Sequence, residues 1–147
     1  MRFSASARVG CWGVLLLAFC YGNVSAAESA TTVPLTIGKQ VFQVELAATP
    51  GARERGLMGR TRLAANGGML FKFEQSAPHC FWMRDTPLPL SIAFIDSEGH
   101  IVNLADMQPH SDALHCAKTN VRYALEVAQG GFAQRGITAG AQVNGLP

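Results

Sequence analysis

A mainly β domain with two short helices, built as an antiparallel β sandwich or a partly open barrel, is the fold this sequence predicts. Three observations carry that expectation. Short apolar runs with period-two alternation recur along the chain, turns rich in Gly, Pro and Asp separate them, and only two brief stretches carry helix signals. No internal repeat at a solenoid or propeller period is present.

The chain opens on an export pattern. Arg2 and Arg8 precede the apolar run Cys11 to Tyr21, and Val24-Ser25-Ala26 places small residues where signal peptidase reads, so cleavage is expected after Ala26. That run is too short for a membrane span, which takes about 20 residues, so a retained anchor is the weaker reading. Lipidation at Cys20 is weaker as well: Leu17-Ala18 suits a lipoprotein signal, but Phe19 stands where a small residue is wanted. Export implies the periplasm or the cell exterior. Removing residues 1–26 from the 147 leaves 121, enough for a single domain and too few for two. Residues 27–33, AESATTV, form a small polar tether, and the domain is expected over 34–147.

From Ala27 onward Lys plus Arg number 10 and Asp plus Glu also number 10, so the formal charge of +2 belongs to Arg2 and Arg8. A balanced chain with no basic stripe lacks the field on which nucleic-acid binding rests. With 15% charged and 48% hydrophobic residues, the composition is that of a folded domain.

Phe42, Val44 and Leu46 alternate with Val41, Gln43 and Glu45 as a half-buried strand should, and Leu35 to Ile37 with Gly38-Lys39 supply the other arm and the turn of a hairpin. Thr49-Pro50 reads as an N-cap followed by proline at the first helical position, opening a helix over about Pro50 to Met58 that Gly56 weakens and Gly59 ends. Gly67-Gly68 introduces a strand over Met69 to Phe73, and Phe81 to Arg84 reads as another. Leu90 to Ile95 and Ile101 to Leu104, joined by Asp96-Ser97-Glu98-Gly99, make the clearest hairpin. Ala105 to Thr119 has no period and reads as an irregular, functional loop. In Val121 to Val127 the alternation buries Val121, Tyr123, Leu125 and Val127 and turns Arg122 and Glu126 outward. A second helix over about Gly131 to Arg135 stops at Gly136, and a last strand lies near Val143.

Six ordered blocks carry a family resemblance. They are Arg55-Gly56-Leu57-Met58-Gly59-Arg60; Gly68-Met69-Leu70-Phe71; Phe81-Trp82-Met83-Arg84-Asp85-Thr86 with Pro89-Leu90; Phe94-Ile95-Asp96 with Gly99; Ala124-Leu125-Glu126-Val127; and Gly136-Ile137 with Gly140 and Val143. Together, from about Val33 to Val143, they resemble the bacterial and archaeal family called domain of unknown function 192. The resemblance implies a mainly β fold and, since many members are exported or tethered to membranes, export. It implies no catalytic residue, because the family's activity is not established. Where members often read Lys-Asn after the Phe-Trp-Met block, this chain reads Arg84-Asp85.

Cys80 and Cys116 are the only cysteines left after cleavage, and in an exported chain an even count implies a disulfide. Closing a loop of roughly 37 residues removes about 3.5–4 kcal/mol of unfolded-state freedom in the chain-entropy picture. A competing reading joins His79, Cys80, His115 and Cys116 into a soft site for copper or zinc. Spacing opposes it, since adjacent residues of an extended segment point to opposite faces.

Arg53, Arg55, Arg60 and Arg62 form a cluster offset by Glu54 alone, suited either to gripping an anion or to a solvated helix face. Alternation puts Cys80, Trp82 and Arg84 on one face, with Asp85 following, so Trp82 either packs in the core or lines a groove. His110-Ser111-Asp112 contains triad residue types, but consecutive residues cannot converge as a triad does. There is no nucleophile elbow, and Gly67-Gly68 lacks the lysine and serine of a phosphate loop.

These features point to a small exported domain that binds a small polar or anionic ligand or an envelope protein. The candidate binding residues are Arg53, Arg55, Arg60, Trp82, Arg84, Asp85, His110 and Asp112. A hydrolase or lyase pairing His110 or His115 with Asp106 or Asp112 ranks second, and soft-metal binding third. No cofactor motif is present.

Overall fold

The computed structural model describes residues 31–147. The expected signal segment and residues 27–30 of the expected tether lie outside the described residues. The last two residues of the expected tether are strand instead. Thr32 pairs with Glu45 and the Leu46 amide donates to the Thr31 carbonyl, so Thr32 and Val33 already belong to the first strand.

Strands β1 (Thr32–Ile37) and β2 (Gln40–Ala47) form the expected hairpin, turning at Gly38 with φ 58°. Helix α1 (Pro50–Arg55) starts as the sequence predicts, the Thr49 hydroxyl accepting from the Ala52 amide at 3.2 Å. It ends sooner than Met58, because Gly56 takes φ 47° and its amide closes the last turn on the Ala52 carbonyl. Strand β3 (Gly67–Ala77) outruns the expected Met69 to Phe73, and it pairs parallel with β2, the 48–66 segment serving as the crossover.

The expected strand over Phe81 to Arg84 contracts to β4 (Cys80–Phe81), which forms a two-stranded ladder with β7 (His115–Cys116). Its alternation survives: Phe81 is half-buried and Met83 buried, while Cys80, Trp82 and Arg84 are exposed. Strands β5 (Leu90–Ile95) and β6 (Ile101–Met107) form the second hairpin, with the Asp96 side chain accepting from the His100 amide at 2.8 Å. Since β6 reaches Met107 and β7 lies at 115–116, the irregular stretch is shorter than Ala105 to Thr119. Strand β8 (Val121–Ala128), a 3-10 turn at Ala133–Arg135 in place of the second helix, and β9 (Val143–Asn144) complete the chain.

Seven strands form one curled sheet in the order β6-β5-β8-β3-β2-β1-β9. Its two edges meet at one end. The Ile101 amide donates to Ala141 at 2.9 Å, Gly140 to Ile101 at 2.7 Å and Val143 to Gly99 at 2.8 Å, while β9 pairs with β1 on its other side. The result is a single mainly β domain, a partly open barrel.

The sheet is covered on both faces. Leu35, Phe42, Val44, Leu70, Ala93, Leu125 and Val143 fill the inside of the curl. Met69, Phe71, Ile92, Phe94 and Ala124 point the other way, where Leu57, Met83, Met107 and Ala117 pack on them. That second core explains why all of β5 is buried. It also corrects the reading of β8: Glu126 does not face water but is 4% exposed, because its face of the strand lies under the second layer.

The disulfide joins Cys80 to Cys116 across the β4–β7 ladder, 36 positions apart in sequence. Around it the Met83 amide donates to Ser111, His110 to Thr86 and Ala117 to His79, so the loop before β7 is fastened to the segment after β4. Replacing both cysteines by serine is expected to lower unfolding stability by about 3–4 kcal/mol, measured by denaturant titration, with reduction of the wild type giving a similar loss. At Gly68 an added Cβ would stand 2.2 Å from the Glu126 carbonyl oxygen. Gly68→Ala is therefore expected to cost roughly 1–3 kcal/mol or more in the same titration, by forcing β3 away from β8.

Candidate functional site

A cleft of about 580 Å³ opens on the outer face of the sheet, between α1 and the segment that carries β4. That volume suits a small molecule. One wall is α1 with Leu57 and Met58; the other is Phe73, His79, Cys80, Phe81 and Trp82; Phe71 and Glu126 are among the residues beneath.

The aromatic wall is interlocked. Phe71 and Phe81 meet edge to face at 4.9 Å, Phe81 meets Phe94 at 5.8 Å, and the His79 ring stacks on Phe73 at 3.6 Å. The opposite wall is held by Arg53, whose guanidinium donates to the carbonyls of Ala48 at 2.6 Å and Lys72 at 3.0 Å and lies over the Phe73 ring. Gly56 lets the chain pass close to the aromatics, since a Cβ there would stand 3.3 Å from the Phe71 ring.

Glu126 is the chemical singularity of the cleft. In the sheet it lies between Met69 of β3 and Ile92 of β5, with Ala124 and Ala128 as its nearest companions along its own face. No hydrogen bond or ion pair to its carboxyl exists among the described residues. No fully enclosed side-chain oxygen or nitrogen among them lacks a partner either, so the carboxyl retains access to the cleft. Burial raises its pKa from 4.5 to about 8.

The sequence candidates divide. Arg53, Arg55 and Trp82 do meet at the cleft, with Trp82 43% exposed. Arg84 lies beside them, its guanidinium 4.0 Å from the Trp82 ring and its Nε donating to Asp112 at 2.9 Å; neither Arg84 nor Asp112 lines the cleft. Arg60 points away, paired with Glu45 at 2.5 Å beside a second hollow on the other side of α1. Arg53 and Arg60 would share a face only on a helix that reached residue 60, and α1 ends at Arg55. Asp85 adopts φ 56° and its carbonyl accepts from the Gly59 amide at 2.8 Å, a backbone tie between two loops. His110, also at φ 56°, is outside the cleft lining.

The acid–base pairs proposed from sequence are not formed. Asp106 accepts from Ser91 at 2.5 Å and Asp112 is taken by Arg84, leaving His110 and His115 without a carboxylate among the described residues. Nor does the soft-metal set assemble: the sulfurs of Cys80 and Cys116 are bonded to each other, and the His79 ring is stacked on Phe73 with Nε2 3.2 Å from the Gln75 carbonyl. Among the described residues no three His, Cys, Asp or Glu side chains converge as metal ligands would.

Glu126, Phe71, Phe73 and Leu57 were not singled out as site residues from the sequence. One signal was available for Glu126. Its i−2 and i+2 neighbours, Ala124 and Ala128, are both apolar, so the face assigned to water carried little else that water would favour.

The sequence profile of DUF192, described as Uncharacterized ACR, matches residues 33–145. A comparison with curated proteins finds no match. Among solved structures, a protein of Sinorhizobium meliloti 1021 described as a candidate transcription regulator is similar at 34% identity and TM-score 0.77, covering 80% of this chain and 95% of its own. A protein of unknown function from Novosphingobium aromaticivorans DSM 12444 is similar at 32% identity and TM-score 0.77, covering 81% of this chain and 89% of its own. With the blocks that carry the resemblance spread across the curled sheet and its cleft, the chain belongs to the DUF192 family.

Proposed function

We propose that the protein is an exported small-molecule binder whose site is the cleft beside α1. The Glu126 carboxyl carries this reading: it is 4% exposed, faces a cleft lined by aromatic rings, and has no partner among the described residues. Burying a carboxyl without a hydrogen bond costs stability that an apolar residue would not forfeit. A group kept there at that cost fits a role toward something that enters the cleft. Binding is favoured over catalysis because the imidazole in the lining, His79, is engaged with Phe73 and the Gln75 carbonyl and is no positioned proton-transfer partner.

Export is supported by the pattern of residues 1–26 and by the Cys80–Cys116 bridge, a bond that persists in oxidising compartments. Transcription regulation, the role named for the Sinorhizobium protein, has less support here in so far as it would require nucleic-acid binding, given equal numbers of basic and acidic residues from Ala27 onward.

A thermal-shift screen of the purified protein against amines, carboxylates, sugars and nucleotides is expected to find a ligand that raises the melting temperature. At a hundredfold excess over Kd the gain is about 2.7 kcal/mol, or several degrees. Trp82→Ala is expected to weaken that ligand about tenfold by calorimetry. Affinities unchanged by substitutions at both Trp82 and Glu126 would place binding elsewhere.

The buried carboxyl also sets a pH dependence. Its folded pKa, about 8, lies above the unfolded value, so the native state holds a proton that the unfolded chain releases above pH 4.5. This contribution is fully present below the unfolded pKa and lost as pH rises toward 8, at up to about 1.4 kcal/mol per pH unit. Glu126→Gln removes the proton exchange. Denaturant titrations from pH 5 to 8.5 are expected to show the variant gaining on the wild type by several kcal/mol, and a constant difference would mean that Glu126 titrates normally.

A further inference from the structure

We infer that the cleft selects an organic cation, a primary ammonium or amidinium-like head on an apolar arm, with the head paired to Glu126 and the arm against Phe71, Phe81 and Leu57. This rests on the ligand-binding reading above and adds the chemistry of the head group.

Two buried polar side chains line the cleft, Glu126 and Thr86; the Thr86 hydroxyl donates to the Arg84 carbonyl at 3.3 Å, which leaves the acidic one without a partner among the described residues. Met69 and Ile92 flank Glu126 across the sheet, and Phe71 is its diagonal neighbour on the same face, so the carboxyl sits in apolar surroundings with one open side. A ligand carbonyl could accept from it only while it is protonated, and a ligand anion would set like charges together once it ionised. A cation supplies donors to both carboxyl oxygens and a compensating charge where the surroundings screen weakly. Aromatic rings beside the carboxyl add their own attraction for a cation.

The charges that face Glu126 do not forbid this. On α1 they are Arg53, Glu54 and Arg55, and after β3 there is His79; β3 and β5 present apolar neighbours. Arg53 is spent on the Ala48 and Lys72 carbonyls, with Glu74 3.9 Å away. Glu54 and Arg55 are both exposed and bring opposite formal charges to the lining. None forms an ion pair with Glu126, so an incoming ammonium displaces no protein cation.

The proton balance gives a direct signature. Burial keeps the free carboxyl protonated at neutral pH. Pairing with a cation favours the carboxylate, so the O–H proton leaves Glu126 for the buffer and the ligand keeps its own charge.

Isothermal titration calorimetry of the purified chain at pH 7 with phenethylamine, benzamidine, benzyl alcohol and benzoate, in two buffers of different ionisation enthalpy, tests the inference; Trp82 fluorescence reports entry to the cleft. The two cations are expected to bind at least about tenfold tighter than the alcohol and to release roughly one proton each, with benzoate weakest. Glu126→Gln is expected to abolish both the preference and the proton release while keeping the alcohol's affinity. Should that variant melt early, the wild-type series and its proton count decide the matter alone. Equal binding of all four probes, or tighter binding of benzoate, with Trp82 responding, overturns the cation assignment and leaves the cleft reading standing. If no probe of any charge binds at millimolar concentration, both fall.

Discussion

The two-sided burial of β8 is the constraint from which the rest of the molecule follows. Lying between β5 and β3, this strand turns Leu125 into the curl and Ala124 and Glu126 outward under a second layer. Were the outer face left to water, Glu126 would be an ordinary surface carboxylate and the second core would not exist. Instead α1, the chain after it, and the β4–β7 ladder must be held over the sheet. The chain holds them with the Arg53 bonds to Ala48 and Lys72 on one side and the disulfide with its surrounding backbone bonds on the other. The cleft is the gap that remains between these two covers, which are also tied to each other where the Gly59 amide donates to the Asp85 carbonyl.

This division of labour changes how the arginines are understood. In sequence Arg53, Arg55, Arg60 and Arg62 look like a patch that could grip an anion, but Arg53 and Arg60 are structural donors, as are Arg84 and Arg135 elsewhere in the chain. Arg53 serves backbone carbonyls, Arg60 neutralises Glu45, Arg84 bridges Trp82 to Asp112, and Arg135 ties Gly131 to Ala65 and Asn66 while lying 5.2 Å from the Phe42 ring centroid. A planar guanidinium with several donors is well fitted to collecting the carbonyls that irregular segments leave unpaired. Long connections such as 48–66 leave many.

What could be read from the residues alone was the part fixed by local rules. Both hairpins, the Thr49 cap, the stop at Gly136 and the Cys80–Cys116 pairing each depend on a few neighbouring residues or on parity, and each is found. Local rules fail where a distant segment decides the environment. The parallel pairing of β2 with β3 depends on where the crossover returns the chain, which no period reveals. Glu126 was assigned to solvent because alternation separates two faces without saying that both are covered. The short β4 is extended only as far as β7 reaches to pair with it. The cleft assembles from α1, β3, β8 and the β4 segment, which explains why Arg53, Arg55 and Trp82 could be singled out individually while their shared floor could not.

The meeting of β1 with β9 ties the beginning of the described chain to its end, since Ile37 pairs with Val143 and Thr36 with Asn144. A polypeptide emerging amino end first from a ribosome therefore carries β1 with one flank unoccupied until Val143 and Asn144 have followed it out. Contacts so far apart in sequence are slow to form, and unpaired strand flanks invite association between chains in the interval. Completion of the barrel thus waits for Val143 and Asn144, which act as its latch.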